Sequence, residues 1–193
     1  MVDRDVELLA RADGLSREAE EVLVDLGLPD LFASIGRSER VGSGSFGLAL
    51  LRDIDFDTLC PSLDAGTVWS ALQPLAEHPR VKRLRWSDER GGFNGTGRPE
   101  ADGLYCGVHY YSGEVRDDLR WKLDCWFFPA NAPRPDIALR DRVRGASPEE
   151  RLAILRLKDE AIQTGRYGWP NEFQGYRIYE AVLTRGVRRL EDV

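Results

Sequence analysis

Apolar positions along the 193-residue chain change period twice, from helical spacing to strict alternation and back. The first 37 residues read as helical. Ser16 precedes the acidic residues Glu18, Glu20 and Glu21, and Gly27 stands where a helix would stop. Pro29 opens a short second piece that ends at Gly36. Arg40-Val41 then leads into the glycine-rich stretch GSGSFG, and RDIDFDTL (52–59) alternates charged and apolar residues. Helical spacing returns over 66–78 and stops at Pro79. Residues 80–89, 104–116 and 119–128 are rich in aromatic and β-branched residues with period two, and so predict strands. GGFNGTGRPEADG (91–103) reads as a loop, and PANAPRP (129–135) as a break. Ser147-Pro148-Glu149-Glu150 then supplies a cap, a proline at the first helical position and an acidic first turn for a helix over 151–165. A last helix repeats Tyr176, Tyr179 and Leu183. The pattern predicts helices, then a mixed sheet of about four or five strands with one helix laid on it, then two more helices: an α/β or α+β fold.

Composition narrows the class. At 42% hydrophobic residues the chain can bury a substantial core, and at a net charge of −6 it is not built to coat duplex nucleic acid. No apolar run is long enough to span a bilayer, and the acidic start MVDRDVELLARADG is unlike a signal peptide. Cys60, Cys106 and Cys125 form no C-x-x-C pair, which predicts neither a disulfide framework nor a zinc site. A cytoplasmic protein without membrane attachment is expected.

The segment from Val41 to Asp57 carries the chemistry. GSGSFG alone fits the dinucleotide fingerprint G-x-G-x-x-G, but that motif needs a helix after its glycines, and here a charged strand follows too soon. No H-R-D or D-F-G element and no G-K-[ST] is present, which removes kinase and Walker readings. Gly42-Ser43 taken with Asp53-Ile54-Asp55 is more informative. Residues two apart on a strand share a face, so Asp53 and Asp55 stand side by side while Ile54 and Phe56 enter a core. Adjacent carboxylates repel, and a divalent cation with a taste for hard oxygen resolves the conflict. A glycine-serine turn just upstream can present backbone N–H groups to phosphate. Asp124 is an acid inside the otherwise apolar and aromatic LRWKLDCWFF, sharing a face with Arg120 and Lys122. If that strand lies beside the Asp53 strand, three carboxylates and a lysine converge.

With these residues the sequence resembles the nucleotidyltransferase superfamily that includes DNA polymerase beta. The signature is a Gly-Ser turn (Gly42-Ser43), an Asp-x-Asp strand (Asp53 and Asp55) and a third Asp on a later strand (Asp124), with Gly47 where many small members carry a glycine. The resemblance covers roughly residues 38–128 and leaves the helical ends unassigned. It implies a mixed-sheet core over residues 1–144, flanked by N-terminal and C-terminal helices, with 145–193 as a C-terminal helical segment. It implies Mg²⁺ (or Mn²⁺) held by Asp53, Asp55 and Asp124, with Asp124 as general base. Gly42, Ser43, Arg52, Lys122 and Lys158 are the expected phosphate-binding residues. The expected reaction moves a nucleoside monophosphate from an NTP, with ATP favoured, to an acceptor hydroxyl on a small molecule. The alternatives are a catalytically inactive nucleotide-binding or protein-interaction module, and a toxin–antitoxin type enzyme that modifies protein or tRNA.

Other residues have plainer expectations. Asp57 reads as solvated, His78 as a helix-end surface residue, His109 as packing, and Cys125 as buried and inert. Tyr176, Tyr179 and Trp169 read as helix packing, and the Asn94-Gly95-Thr96 sequon as meaningless without secretion.

Overall fold

The computed structural model describes residues 2–93, 102–134, 137–168 and 170–193, so Trp169 and the sequon lie outside the described residues. The chain forms two compact units. One comprises Arg17–Gly44 and Arg52–Arg134; the other comprises Met1–Ser16, Ser45–Leu51 and Pro135–Val193.

Five strands make the first unit: β1 (Arg37–Val41), β2 (Asp53–Cys60), β3 (Val81–Asp88), β4 (Leu104–Tyr111) and β5 (Arg120–Pro129). Their order in the sheet is β1-β2-β5-β4-β3. β2 and β5 run parallel, and the other pairings are antiparallel. Alternation divides the sheet into two faces. On one, Ile54, Phe56, Trp121, Leu123, Cys125, Phe127, Leu104, Cys106, Val108 and Tyr110 are all buried. That face packs on helices α1 (Val2–Leu26), α2 (Leu28–Ala33) and α3 (Ala65–Glu77) through apolar side chains such as Val22, Leu28, Val68 and Leu72. Phe32 of α2 sits edge-on to Phe127, with ring centroids 5.0 Å apart.

The second unit gathers α4 (Ile137–Arg144), α5 (Pro148–Gln163) and α6 (Gly175–Arg185) with the N-terminal turns of α1 and the strap Ser45–Leu51. Its core contains Leu8, Phe46, Leu48, Leu50, Ile154, Leu157, Ile178 and Tyr179. Tyr179 packs as its spacing predicts, whereas Tyr176 is exposed. Ser147 and Glu150 close a reciprocal capping box on α5.

Two elements differ from expectation. α1 begins at Val2 rather than after Ser16, because Leu8, Ala12, Leu15, Ala19, Val22 and Leu26 keep helical spacing straight through the serine. Gly27, at φ 59°, ends α1 where expected. α4 was not expected, since its only fully buried side chain is Val143 and its other positions are largely charged.

Candidate metal and nucleotide site

The face of the sheet opposite the core holds the charged side chains, and the register places them. Asp53 pairs with Lys122 and Asp55 with Asp124 across the parallel β2–β5 ladder, so the three aspartates and the lysine share one small area. Each carboxylate is half-buried, and one oxygen from each lies within 4.8 Å of the others. Two lysine contacts temper the negative charge: Lys122 Nζ stands 2.5 Å from Asp124 Oδ2 and 4.0 Å from Asp53 Oδ1. Burial alone would push the Lys122 ammonium down, but the charges of Asp53 and Asp124 hold it above its ordinary value. Asp55 goes the other way. Burial first, then the negative charges of Asp53 and Asp124, raise its pKa well above the usual carboxylate range.

Gly42 brings the turn to this cluster. Its φ of 66° is the left-handed region, and a Cβ there would lie 1.8 Å from Asp55 Oδ2. Val41 is the strand partner of Asp55, so the chain turns directly beside that carboxylate and enters a 3-10 turn at Ser43. Any side chain at Gly42 would occupy the space that the carboxylate uses.

Tyr105, which sequence reasoning did not single out, completes the surroundings of Asp124. Its hydroxyl donates to Asp124 Oδ1 at 2.5 Å. Gly107 makes this possible: it is the cross-strand partner of Asp124, and a Cβ there would stand 2.6 Å from Tyr105 Oη. The signal was a tyrosine two residues before a glycine on the same strand face, legible only once β4 is known to flank β5.

The remaining expected residues occupy other surroundings. Arg52 donates through Nε and Nη2 to Glu18 Oε2, at 3.2 and 2.9 Å, and through Nη1 to the Asp118 carbonyl at 2.8 Å. Lys158 lies in the helical unit, 1% exposed, where its ammonium donates to the Leu48 carbonyl at 2.6 Å. Asp57 is a correction: instead of being solvated it is 7% exposed and accepts from Arg134 Nη2 at 2.6 Å. His109 is half-buried on the carboxylate-bearing face, with Lys122 as its strand partner. His78 closes α3 and contacts Asp25 at 3.5 Å, and Cys125 is fully buried.

No family model matches the chain, and no curated protein matches it significantly. Among solved structures, it is similar to Cid1 in complex with its short product ApU, with a TM-score of 0.58 at 15% identity. The match covers 89% of this chain and 48% of the other, so this chain spans about half the length of the structure it resembles. Such a likeness shows the fold, and the fold is that of a nucleotidyltransferase.

Proposed function

We propose that the protein is a Mg²⁺-dependent nucleotidyltransferase that moves a nucleoside monophosphate from a nucleoside triphosphate, ATP first among them, to an acceptor hydroxyl. The observation that carries this reading is the carboxylate cluster, three aspartates with oxygens within 4.8 Å of one another on a nucleotidyltransferase sheet. The donor set fits a hard divalent cation. Three half-buried carboxylates held this close repel one another, and the raised pKa of Asp55 records that repulsion. Asp53 and Asp55 would hold an ion against the triphosphate, and all three aspartates a second, with Mn²⁺ as a substitute. Such ions neutralise charge on the phosphates and lower the pKa of an acceptor hydroxyl.

The chain's own residues supply the rest. As the acceptor oxygen bonds to the α-phosphorus, the bond to the β-phosphate bridge breaks and its electron pair leaves on pyrophosphate. The hydroxyl proton passes to the Asp124 carboxylate. Tyr105 and Lys122 each occupy one lone pair of Asp124, and a carboxylate has about four, so capacity to accept remains. The same two donors fix the orientation of that carboxylate. Lys122 balances carboxylate charge before substrate arrives and phosphate charge afterwards. The Gly42-Ser43 turn offers backbone N–H groups to the triphosphate at close range. The acidic net charge favours a small-molecule acceptor over a long polymer. Three buried free cysteines suit the cytoplasm, where thiols stay reduced.

The test is pyrophosphate release from NTPs in the presence of Mg²⁺ and a panel of acceptors. Asp53→Asn and Asp124→Asn should each abolish release while preserving the fold. Full activity in Asp124→Asn would remove the general-base assignment.

A further inference from the structure

The sheet face that holds the carboxylates changes sign across its width. Two rows of cross-strand partners run from β2 to β3. One is Asp55, Asp124, Gly107, Arg85; the other is Asp53, Lys122, His109, Arg83. Each row begins on a carboxylate and ends on an arginine. A β-bulge sets the second end. The register of β3 shifts between Val81 and Arg83, so Lys82 is the extra residue and Arg83 and Arg85 take the carboxylate-bearing face. Without the bulge both arginines would turn to the opposite face.

Both arginines are exposed, and neither has an ion-pair or hydrogen-bond partner among the described residues. Most other arginines of this unit are engaged: Arg40 with Glu20, Arg52 with Glu18, Arg90 with Asp88, Arg116 with Asp118 and Arg134 with Asp57. His109 lies between the arginines and the cluster. Its pKa is depressed, by burial first and then by the charges of Arg120, Arg83 and Lys122, so its surroundings are positive. Gly107 has no side chain between Asp124 and Arg85, two strand spacings or about 10 Å apart.

We propose that Arg83 and Arg85 form an anion site for the acceptor, and that the acceptor carries a phosphate near the hydroxyl that attacks. This rests on the nucleotidyl-transfer reading and deepens it. An acceptor phosphate held by the paired guanidiniums on β3 lets its hydroxyl reach Asp124 along the row that Gly107 leaves open. A cationic acceptor such as an aminoglycoside is disfavoured by the same charges. The shared chemistry is a phosphate ester, whether on a phosphorylated small molecule or at the end of an oligonucleotide.

The experiment measures binding to the full chain, with Mg²⁺ and a non-hydrolysable ATP analogue present. The probes are a 5′-labelled pentaribonucleotide with a free 3′-hydroxyl, ribose 5-phosphate, and kanamycin as the unphosphorylated cationic control. The Arg83→Glu/Arg85→Glu double variant should bind the phosphate-bearing probe at least about tenfold more weakly, with a salt slope for the oligonucleotide flatter by about 1.4, or 0.7 per lost phosphate contact. Its affinity for the ATP analogue and its melting temperature should match the wild type. The Arg83→Gln/Arg85→Gln variant should lose less. Tighter binding of the pentanucleotide or of ribose 5-phosphate identifies the source of the phosphate. Equal binding of both probes by wild type and variant would overturn the proposal, as would a wild type that binds the ATP analogue and kanamycin but neither phosphate. A wild type that binds no ATP analogue but still binds phosphate through these arginines would instead remove the nucleotidyl-transfer reading and keep the anion site.

Discussion

Asp55 is the residue at which stability and function pull in opposite directions. Its folded pKa is raised by burial and by the charges of Asp53 and Asp124, so the folded chain binds more protons than the unfolded one between the two values. Stability from this group is therefore greatest at low pH and falls as pH rises through the folded pKa. Asp55→Asn removes the repulsion, and in metal-free solution at neutral pH it should stabilise the fold by an amount on the order of 1 kcal/mol. Thermal melts with EDTA check this, and an unchanged or lower melting temperature would contradict it. Mg²⁺ should raise the melting temperature of the wild type and leave Asp55→Asn unmoved. Gly42→Ala tests the neighbouring constraint. It needs φ of 66° from a residue with a Cβ, in space already held by Asp55, so a cost on the order of 1–3 kcal/mol is expected in urea denaturation, with loss of Mg²⁺ stabilisation. Tyr105→Phe removes one donor to Asp124 and should cost about 1–2 kcal/mol by the same measurement.

At the scale of elements, the parallel pairing of β2 and β5 makes the site, and the apolar face behind it holds that pairing in register. Leu123, between Lys122 and Asp124, is fully buried on that face. Leu123→Ala should destabilise the protein by about 2–5 kcal/mol in urea denaturation, without changing any group that faces the cation. The same alternation is why so much could be read beforehand. Asp53, Asp55 and Asp124 were legible because each interrupts an apolar strand with period two, and the period assigns the face. What alternation cannot give is the order of strands in the sheet, and Tyr105, Arg83 and Arg85 enter only through β4 and β3. The bulge at Lys82 has no counterpart in the hydrophobic pattern. α4 escaped notice for the converse reason, since a helix with a single fully buried side chain leaves almost no periodic trace. Asp57 follows the alternation of its strand, but its partner Arg134 lies 77 residues away and could not be anticipated.

At the scale of the whole molecule, the two units each have their own apolar core, and the candidate site belongs to the sheet unit. Lys158 shows how a rare residue type can mislead: one of only three lysines, it was a natural candidate for phosphate, yet its ammonium is sealed in the helical unit against the Leu48 carbonyl. The net charge of −6 is uneven in its consequence, because Arg83 and Arg85 stand on the face of the carboxylates and offer an anion a place within an acidic protein. The central claim is that the three aspartates hold a divalent cation on which a nucleoside triphosphate binds. Calorimetric titration of ATP, GTP, CTP and UTP, with Mg²⁺ and with EDTA, into the wild type and an Asp53→Asn/Asp55→Asn variant tests it most directly. Saturable binding of at least one nucleotide that requires Mg²⁺ and disappears in the variant is the predicted result. Binding to none of the four with Mg²⁺, or binding that survives both EDTA and the double substitution, would contradict it.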